Sequence, residues 1–455
     1  MRHFDLLIVG GGPGGYEAAI RGSQLGLSVA LIEKDKMGGT CLNRGCIPTK
    51  AFVHSADFLR NLKISRKLGI DTGELNLDIA KLVFNKDKIV RSLVSGVEYL
   101  MKKNNVTVFR CEAEFLDSRQ VRAGEEILDF DDLIIATGSS AVLPPIPGIG
   151  AEGVMTATEI LSIDHLPKEL TIIGGGVIGC ELACVFNEFG SHVTVVEMLD
   201  RLLPAVDSDI SDVLAYAMNT EGIQIVTGAS ISSVEKSGDL FRVSAMTKEG
   251  ARTFTSDELL VAAGRKGNTK GLERLGLRME KGYVCIDEHM RTNVPHIYAI
   301  GDVTGGIQLA HVASAQGAAA AENICGHDAA IDYNAIPNCI FTVPEIAAVG
   351  MTEEHAKKEG ISYTVGKFPM RASGRAMTLY ETDGFTKLIC EKESGRLLGA
   401  EIIGPNATEM ICELAYAVRT GGTAEDIHQT IHPHPTVSET IREAAGIVVG
   451  KPMSI

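Results

Sequence analysis

Residues 5–35 read DLLIVGGGPGGYEAAIRGSQLGLSVALIEKD, and residues 169–199 read ELTIIGGGVIGCELACVFNEFGSHVTVVEML. Each stretch runs apolar strand, Gly-x-Gly-x-x-Gly, helix, second strand, acidic residue. Gly10, Gly12 and Gly15 lead to Glu33; Gly174, Gly176 and Gly179 lead to Glu197. The first glycine and the acid stand 23 positions apart in both copies. One such fingerprint alone says little, but strand before, helix after and acid beyond the next strand give it meaning. The first glycine permits a tight turn, the second a close approach of backbone to a pyrophosphate, the third close packing of helix on strand. The helix N-terminus then turns free N–H groups to the phosphates. Glu33 and Glu197 would bond ribose hydroxyls. Two glycine-rich turns without ligands are the bland alternative, and two full copies at one offset weigh against it. The repeat predicts an α/β chain with two Rossmann-like dinucleotide-binding domains.

The whole chain has room for more than these two units. Its 455 residues suggest about three domains. An apolar share of 45% and a charged share of 22% suit folded cores and exclude a disordered or fibrous chain. Acidic residues outnumber basic ones 58 to 43, and no long Lys/Arg run breaks the balance. A nucleic-acid protein would carry a basic footprint, and an anionic membrane surface would repel most of this chain. No apolar run reaches the roughly 18 residues needed to span a bilayer. No basic leader or cleavable apolar segment is expected ahead of the first strand. Ten cysteines fall far below disulfide-scaffold density. The chain reads as cytoplasmic, where cysteines are more often catalytic or metal-binding than structural.

The Pro/Gly cluster VLPPIPGIG (142–150) separates the two copies. A second boundary falls near Gly264, after the strand ELLVAAG. VPHIYAIGDV (294–303) reads as a strand ending at Gly301-Asp302. From about Asn338 strands such as GFTKLICEK alternate with a helix over 406–420, whose stripe of Met410, Ile411, Leu414, Ala415 and Val418 predicts a core face. Between the first copy and the linker, Ile79, Leu82, Val83, Ile89, Val90, Leu93, Val97 and Leu100 keep 3–4 spacing, which predicts one long packed helix.

GGTCLNRGCIPTK (38–50) sets Cys41 and Cys46 five apart. They could be small buried residues, half of a metal site, or a redox pair. No second cysteine pair with ligand spacing follows, which disfavours metal. Gly38-Gly39 before them and Pro48 after them suggest an exposed, shaped loop, and a redox pair beside a bound flavin is chemically apt. HPHPTVSE (432–439) offers two histidines and a carboxylate. A metal cluster of His428, His432 and His434 is a rival, but Pro433 and Pro435 break any helix that would align them.

On GGGPGG, GGTCLNRGCIPTK, ATG (136–138), IIGGGVIGCE, VAAGR, HIYAIGD, LAH (309–311) and HPHPTVSE, the chain resembles the flavoprotein disulfide reductases over essentially its whole length. The resemblance is nearest to their dihydrolipoamide dehydrogenase branch. It implies a glutathione reductase-like fold, α/β, with a C-terminal α+β dimerisation domain. The implied division is 1–145 for FAD with the helical insertion, 146–268 for NAD, 269–337 completing the FAD site, and 338–455 as interface. It implies that Gly10, Gly12, Pro13, Gly14, Gly15 and Glu33 hold the ADP part of FAD. Asp302 would hold the ribitol chain and Lys50 would sit near the reactive ring nitrogen. Thr40, Ala113, Gly138 and Ala310 would give further FAD contacts. Gly174, Gly176, Gly179 and Glu197 would hold NAD, with Glu181 and Gly264 near the nicotinamide and Ile231 on the adenine side. Cys41 and Cys46 would be the redox disulfide, with Cys46 nearer the flavin. His434, held by Glu439, would be the base and would reach the disulfide of a second subunit.

The implied reaction oxidises protein-bound dihydrolipoamide through that disulfide and FAD and delivers a hydride to NAD. A carboxylate at Glu197 accepts from a free 2′-hydroxyl and repels a 2′-phosphate, which favours NAD over NADP. The expected partners are a second copy, a lipoylated domain or carrier, and an acyltransferase core, within a 2-oxo acid dehydrogenase or glycine cleavage system. Reduction of another low-molecular-weight disulfide by NADH, or service mainly as an assembly subunit, are the alternatives. Arg44, between the cysteines, is a candidate charge for favouring a thiolate. The other eight cysteines, Cys180 and Cys184 among them, read as inert.

Overall fold

A computed structural model describes residues 2–73 and 75–454. The strand Arg2–Val9 is apolar and buried along most of its length, as a central parallel strand must be. It pairs in parallel with Val29–Ile32 on one side and Glu126–Ile135 on the other. Thr107–Phe109 extends one edge. On the far side of the ten-residue strand, a hairpin (Ala113–Phe115, Gln120–Ala123) takes the first half and Ile297–Ala299 takes the second. The chain therefore leaves this first lobe, builds another, and returns to add a strand.

The second lobe is a five-stranded parallel sheet in the spatial order 224–226, 192–196, 169–173, 258–261, 154–155. A three-stranded antiparallel meander, Ser230–Ser237, Leu240–Thr247 and Gly250–Ser256, is inserted before its last-built strand. Ser139–Ala141 and Arg265–Gly267, on the ways in and out, pair antiparallel. The third lobe is an antiparallel sheet of five strands in the order 338–340, 346–350, 397–403, 385–391, 363–369. Its helix Ala407–Thr420 buries Ala407, Ile411, Leu414 and Ala417 and ends at Gly421 in the left-handed region. Met410, Ala415 and Val418 pack at the margin of that core.

The helix Ile79–Lys103 forms as its periodicity predicts, but only part of its stripe is buried. Val90 and Val97 pack inward, whereas Ile89, Leu93 and Leu100 are exposed. The helix has a wider apolar arc than one lobe covers. No helix among the described residues is long and apolar enough to cross a membrane.

Candidate active site

The two glycine fingerprints fold alike. Gly10 and Gly174 take φ of +112° and +111°, a region L side chains avoid. A Cβ on Gly15 would lie 1.8 Å from the Gly10 carbonyl oxygen, and one on Gly179 2.0 Å from that of Gly174. Gly12 and Gly176 precede the helices Pro13–Gln24 and Val177–Phe189, neither of which has a side-chain cap. A Cβ on Gly176 would meet nothing within 4 Å, and one on Gly12 only the Cα of Gly39 at 3.9 Å. Uncapped N–H groups and the positive helix end thus open into space. Pro13 fills the first helical position, where its missing N–H costs nothing. A Cβ on Gly14 would come within 2.9 Å of the Ala313 carbonyl, so hydrogen there lets the helix Ala310–Ile324 cross closely.

The two acids also match. Glu33 accepts from the Gly11 N–H at 2.7 Å and the Asp35 N–H at 2.8 Å. Glu197 accepts from the Gly175 N–H at 2.5 Å and the Leu199 N–H at 2.7 Å. Each carboxylate therefore fixes its own loop and keeps lone pairs for a ribose. Thr40, Gly138, Asp302 and Ala310 follow the C-terminal ends of first-lobe strands, around the first fingerprint. Gly138 and Gly264 occupy positive-φ turns, at +68° and +116°. Ala113 opens an outer strand of that sheet, and Ile231 packs against the second-lobe core.

Gly45 breaks the cysteine segment into two helices, Gly39–Arg44 and Cys46–Ile64. The exposed loop suggested by the flanking Gly and Pro is therefore not what forms. Pro48 falls within the first helical turn, where no N–H is needed. Cys41 is half-buried, and Cys46 is the exposed first residue of its helix. The interaction of the two thiols, aided by the Lys50 ammonium, outweighs desolvation and draws Cys46 down to about 7. The same interaction, with burial, pushes Cys41 up. A helix N-terminus also favours a thiolate at Cys46. Arg44, paired with Asp35, is not among the groups that shift either cysteine.

Lys50, one turn beyond Cys46, donates to both carboxylate oxygens of buried Glu181 at 2.8 Å. Its Nζ sits 4.3 Å from the ring centre of Phe341, whose N–H donates to Glu181 at 2.9 Å. All three lobes meet at this ion pair. The sequence reading missed Phe341; its only signal was an aromatic residue ahead of the turn at Pro344. It also missed the clamp on Asp302. Ser139 hydrogen bonds to that carboxylate, and Arg265 lies 3.7 Å from it while donating to the Ser139 hydroxyl and carbonyl at 2.7 Å.

The structure separates the two histidines. The His432 side chain is 3% exposed, with Nδ1 3.0 Å from the Thr430 carbonyl and Nε2 3.2 Å from Glu413. The His434 side chain is 82% exposed, with Nδ1 2.9 Å from Glu439. The second Glu439 oxygen accepts the Thr436 N–H at 2.9 Å. The carboxylate is thus fixed, and it fixes the ring with Nε2 outward. Among the described residues, no hydrogen bond or ion pair joins His434 to Cys41 or Cys46 within one chain.

Residues 4–317 match the pyridine nucleotide-disulphide oxidoreductase family, and residues 336–445 match its dimerisation domain. The chain belongs to this family. It is 43% identical to the dihydrolipoyl dehydrogenase of Bacillus subtilis, across 99% of this chain and 97% of that protein. It is 41% identical to the dihydrolipoyl dehydrogenase of Geobacillus stearothermophilus, with the same coverage. Its fold is similar to the crystal structure of LpdA from Mycobacterium tuberculosis, with a TM-score of 0.91, 28% identity and coverage of 98% of this chain and 100% of that one. The dimerisation domain supports a homodimer.

FAD and NAD are the cofactors of such an enzyme, and the two grooves fit them. Each has an uncapped helix N-terminus for a pyrophosphate and a fixed carboxylate at the end of the next strand. In the second groove the nearest cation after Glu197, Arg201, is already taken by Glu354 through two contacts of 2.8 Å. A 2′-phosphate would meet the Glu197 carboxylate, with the Arg201 guanidinium already engaged.

Proposed function

We propose that this chain oxidises protein-bound dihydrolipoamide and reduces NAD, as the flavoprotein of a 2-oxo acid dehydrogenase or glycine cleavage system. The observation that carries the proposal is the pair of free thiols Cys41 and Cys46 on adjoining helices, with Lys50 one turn beyond Cys46 and a carboxylate-fixed His434 on the surface. Gly10, Gly12, Pro13, Gly14, Gly15, Glu33, Thr40, Ala113, Gly138, Asp302 and Ala310 hold FAD in this reading. Gly174, Gly176, Gly179, Glu197, Ile231 and Gly264 hold NAD. FAD held by these residues would supply the acceptor for the electron pair of the cysteine thiolate and the source of the hydride for NAD.

The chain's own residues do the rest. His434 Nε2 of one subunit takes the proton of a substrate thiol at the cysteine pair of the other. The substrate sulfur attacks Cys41 Sγ, the Cys41–Cys46 bond breaks, and Cys46 leaves as a thiolate. Lys50 and the helix N-terminus stabilise that charge. The second substrate sulfur then attacks the first, Cys41 leaves, and the cyclic disulfide departs. Glu439 holds the ring tautomer and stabilises the imidazolium. Glu181 orients Lys50 and walls the nicotinamide end of the second groove.

The division into 1–145, 146–268, 269–337 and 338–455 follows from this reading, as do a lipoylated carrier, an acyltransferase core and a cytoplasmic setting. The test is steady-state reduction of NAD and of NADP by dihydrolipoamide with purified holoenzyme. Fast reduction of NAD and little of NADP is expected. A flavin reduced by NADH with no dihydrolipoamide turnover would overturn the assignment.

A further inference from the structure

One lysine of the third lobe is buried and has taken no part in the site so far. Lys387 is 1% exposed, on the strand Phe385–Glu391 of the third lobe. Its cross-strand partners are Glu401 on Leu397–Ile403 and Lys367 on Tyr363–Pro369. Its Nζ lies 2.8 Å from Glu401, 2.7 Å from Asp207 and 2.8 Å from Asp209. Asp207 and Asp209 belong to the second lobe, at the start of the helix Ser208–Thr220. Asp207, Asp209 and Glu401 are close enough together to hold a cation, and the Lys387 ammonium is that cation.

The contacts between these lobes are reciprocal. The Asp207 N–H donates to Glu401 at 2.9 Å. The Asp207 carboxylate accepts the N–H groups of Glu353 and Glu354, at 2.8 and 3.0 Å, from the first turn of a third-lobe helix. Glu354 in return accepts the Ser208 N–H at 2.9 Å and pairs with Arg201. Lys367 pairs with Asp209 at 2.8 Å.

The segment that makes these contacts is also a wall of the second groove. It starts at Glu197, and ten residues later it reaches Asp207. Between them the Leu203 N–H donates to the Gly175 carbonyl at 3.0 Å, inside the fingerprint. The Ser211 hydroxyl donates to the Leu202 carbonyl at 2.7 Å and ties the helix to the same segment. One short stretch therefore couples the fingerprint turn to the third lobe.

We propose that Lys387, with Asp207, Asp209 and Glu401, positions the second groove on the third lobe and so sets the delivery of hydride to NAD. They are positioning residues, since none touches the reacting atoms. The inference rests on the second groove being the NAD site. It predicts a division of effect: passage of electrons from dithiol to flavin uses the first lobe, Lys50 held by Glu181, and His434, none of which the Lys387 network touches, whereas passage to NAD needs the fingerprint groove held in place.

The test uses holoenzyme carrying Lys387→Met, Lys387→Arg or Glu401→Gln, with both half-reactions followed by stopped flow. For Lys387→Met, reoxidation of the reduced flavin by NAD should slow, and the NAD KM should rise, by about tenfold or more, a small part of the roughly 100-fold a 1 Å misplacement costs. Bleaching of the flavin by dihydrolipoamide should stay within about twofold, and Lys387→Arg should recover most of the loss, because the guanidinium keeps the charge. If Lys387→Met does not fold, Arg201→Leu at the exposed end of the network should raise the NAD KM in the same direction. Equal loss in both half-reactions, or a lowered melting temperature with an unchanged NAD half-reaction, would overturn the proposal. Gly179→Ala isolates the underlying reading: if it leaves NAD kinetics untouched, the groove assignment has failed rather than the positioning.

Discussion

Gly179→Ala and Gly15→Ala are the same perturbation applied to two copies of one motif. In the second lobe the added Cβ would stand 2.0 Å from the Gly174 carbonyl oxygen. Carbon and carbonyl oxygen settle at roughly 3.3 Å, so helix and turn must part by about 1.3 Å. Neither side is a flexible side chain: one is backbone, the other a helix whose core face is buried through Leu182, Val185 and Phe186. Overpacking of this kind costs about 1–3 kcal/mol of stability. The larger effect falls on the groove, whose N–H groups move with the helix. A 1 Å error in placing a reactant costs about 100-fold, so kcat/KM for NAD should fall by about that factor, or about 2.7 kcal/mol. The flavin should stay bound, and its reduction by dihydrolipoamide should be unchanged. Gly15→Ala, with its Cβ 1.8 Å from Gly10, should instead yield protein that loses FAD on desalting. Absorbance at the flavin band, protein content and NAD titrations check both. A Gly179→Ala enzyme with parental NAD kinetics would refute the view that close helix–turn contact builds the groove.

The lowered pKa of Cys46 makes it a thiolate above about pH 7, where an ordinary thiol stays protonated up to its usual value of 9.0. Alkylation of the dithiol-reduced protein by iodoacetamide should therefore fall as pH drops through about 7, and Lys50→Met or Cys41→Ser should move that midpoint upward. His434→Gln should slow reduction of the flavin by dihydrolipoamide by about 100- to 10,000-fold, the usual span for a general base, while NADH still reduces the flavin. Heterodimers of a Cys41→Ser subunit and a His434→Gln subunit should regain activity that neither homodimer has. Absence of complementation in purified heterodimers would mean that base and disulfide act within one chain.

The parts of the site legible in the sequence were those whose partners lie close along the chain. Glu33 with the Gly11 N–H, Glu197 with the Gly175 N–H, and His434 with Glu439 each form a contact inside one supersecondary unit, so spacing alone carried them. The cysteine helices were not legible, because nothing in GGTCLNRGCIPTK except Gly45 marks the break between them, and glycine there reads equally as loop. The Lys50–Glu181–Phe341 junction draws on three lobes. Spacing has nothing to say about residues 131 and 160 positions apart. Lys387 shows the same limit from the other side: in sequence it is one of many lysines, and only the fold brings carboxylates from two lobes around it. The exposed half of the Ile79–Lys103 stripe is a further case, since periodicity reports which face is apolar and not what lies against it.

The topology explains why such junctions are needed at all. The second lobe is inserted into the first, entered and left through the short antiparallel pair 139–141 and 265–267. A two-strand tether fixes where the lobe is attached, and a shared apolar core, Phe52 of the first lobe and Phe385 of the third packed in one cluster with Phe186 of the second, forms its seat. Apolar contact would hold the lobe down with little preference for orientation, because hydrophobic attraction is non-directional. Ion pairs with hydrogen-bonded geometry do the opposite: removing two charges from water costs much of what their attraction returns, and what remains is orientation. Lys50–Glu181 sets the second lobe against the cysteine helix, and Lys387 with Asp207 sets it against the third lobe. Two such fixings at separate points leave a tethered lobe no free rotation. On the proposed reading, that is the condition for an electron pair arriving at Cys46 in one lobe to find an acceptor held by another.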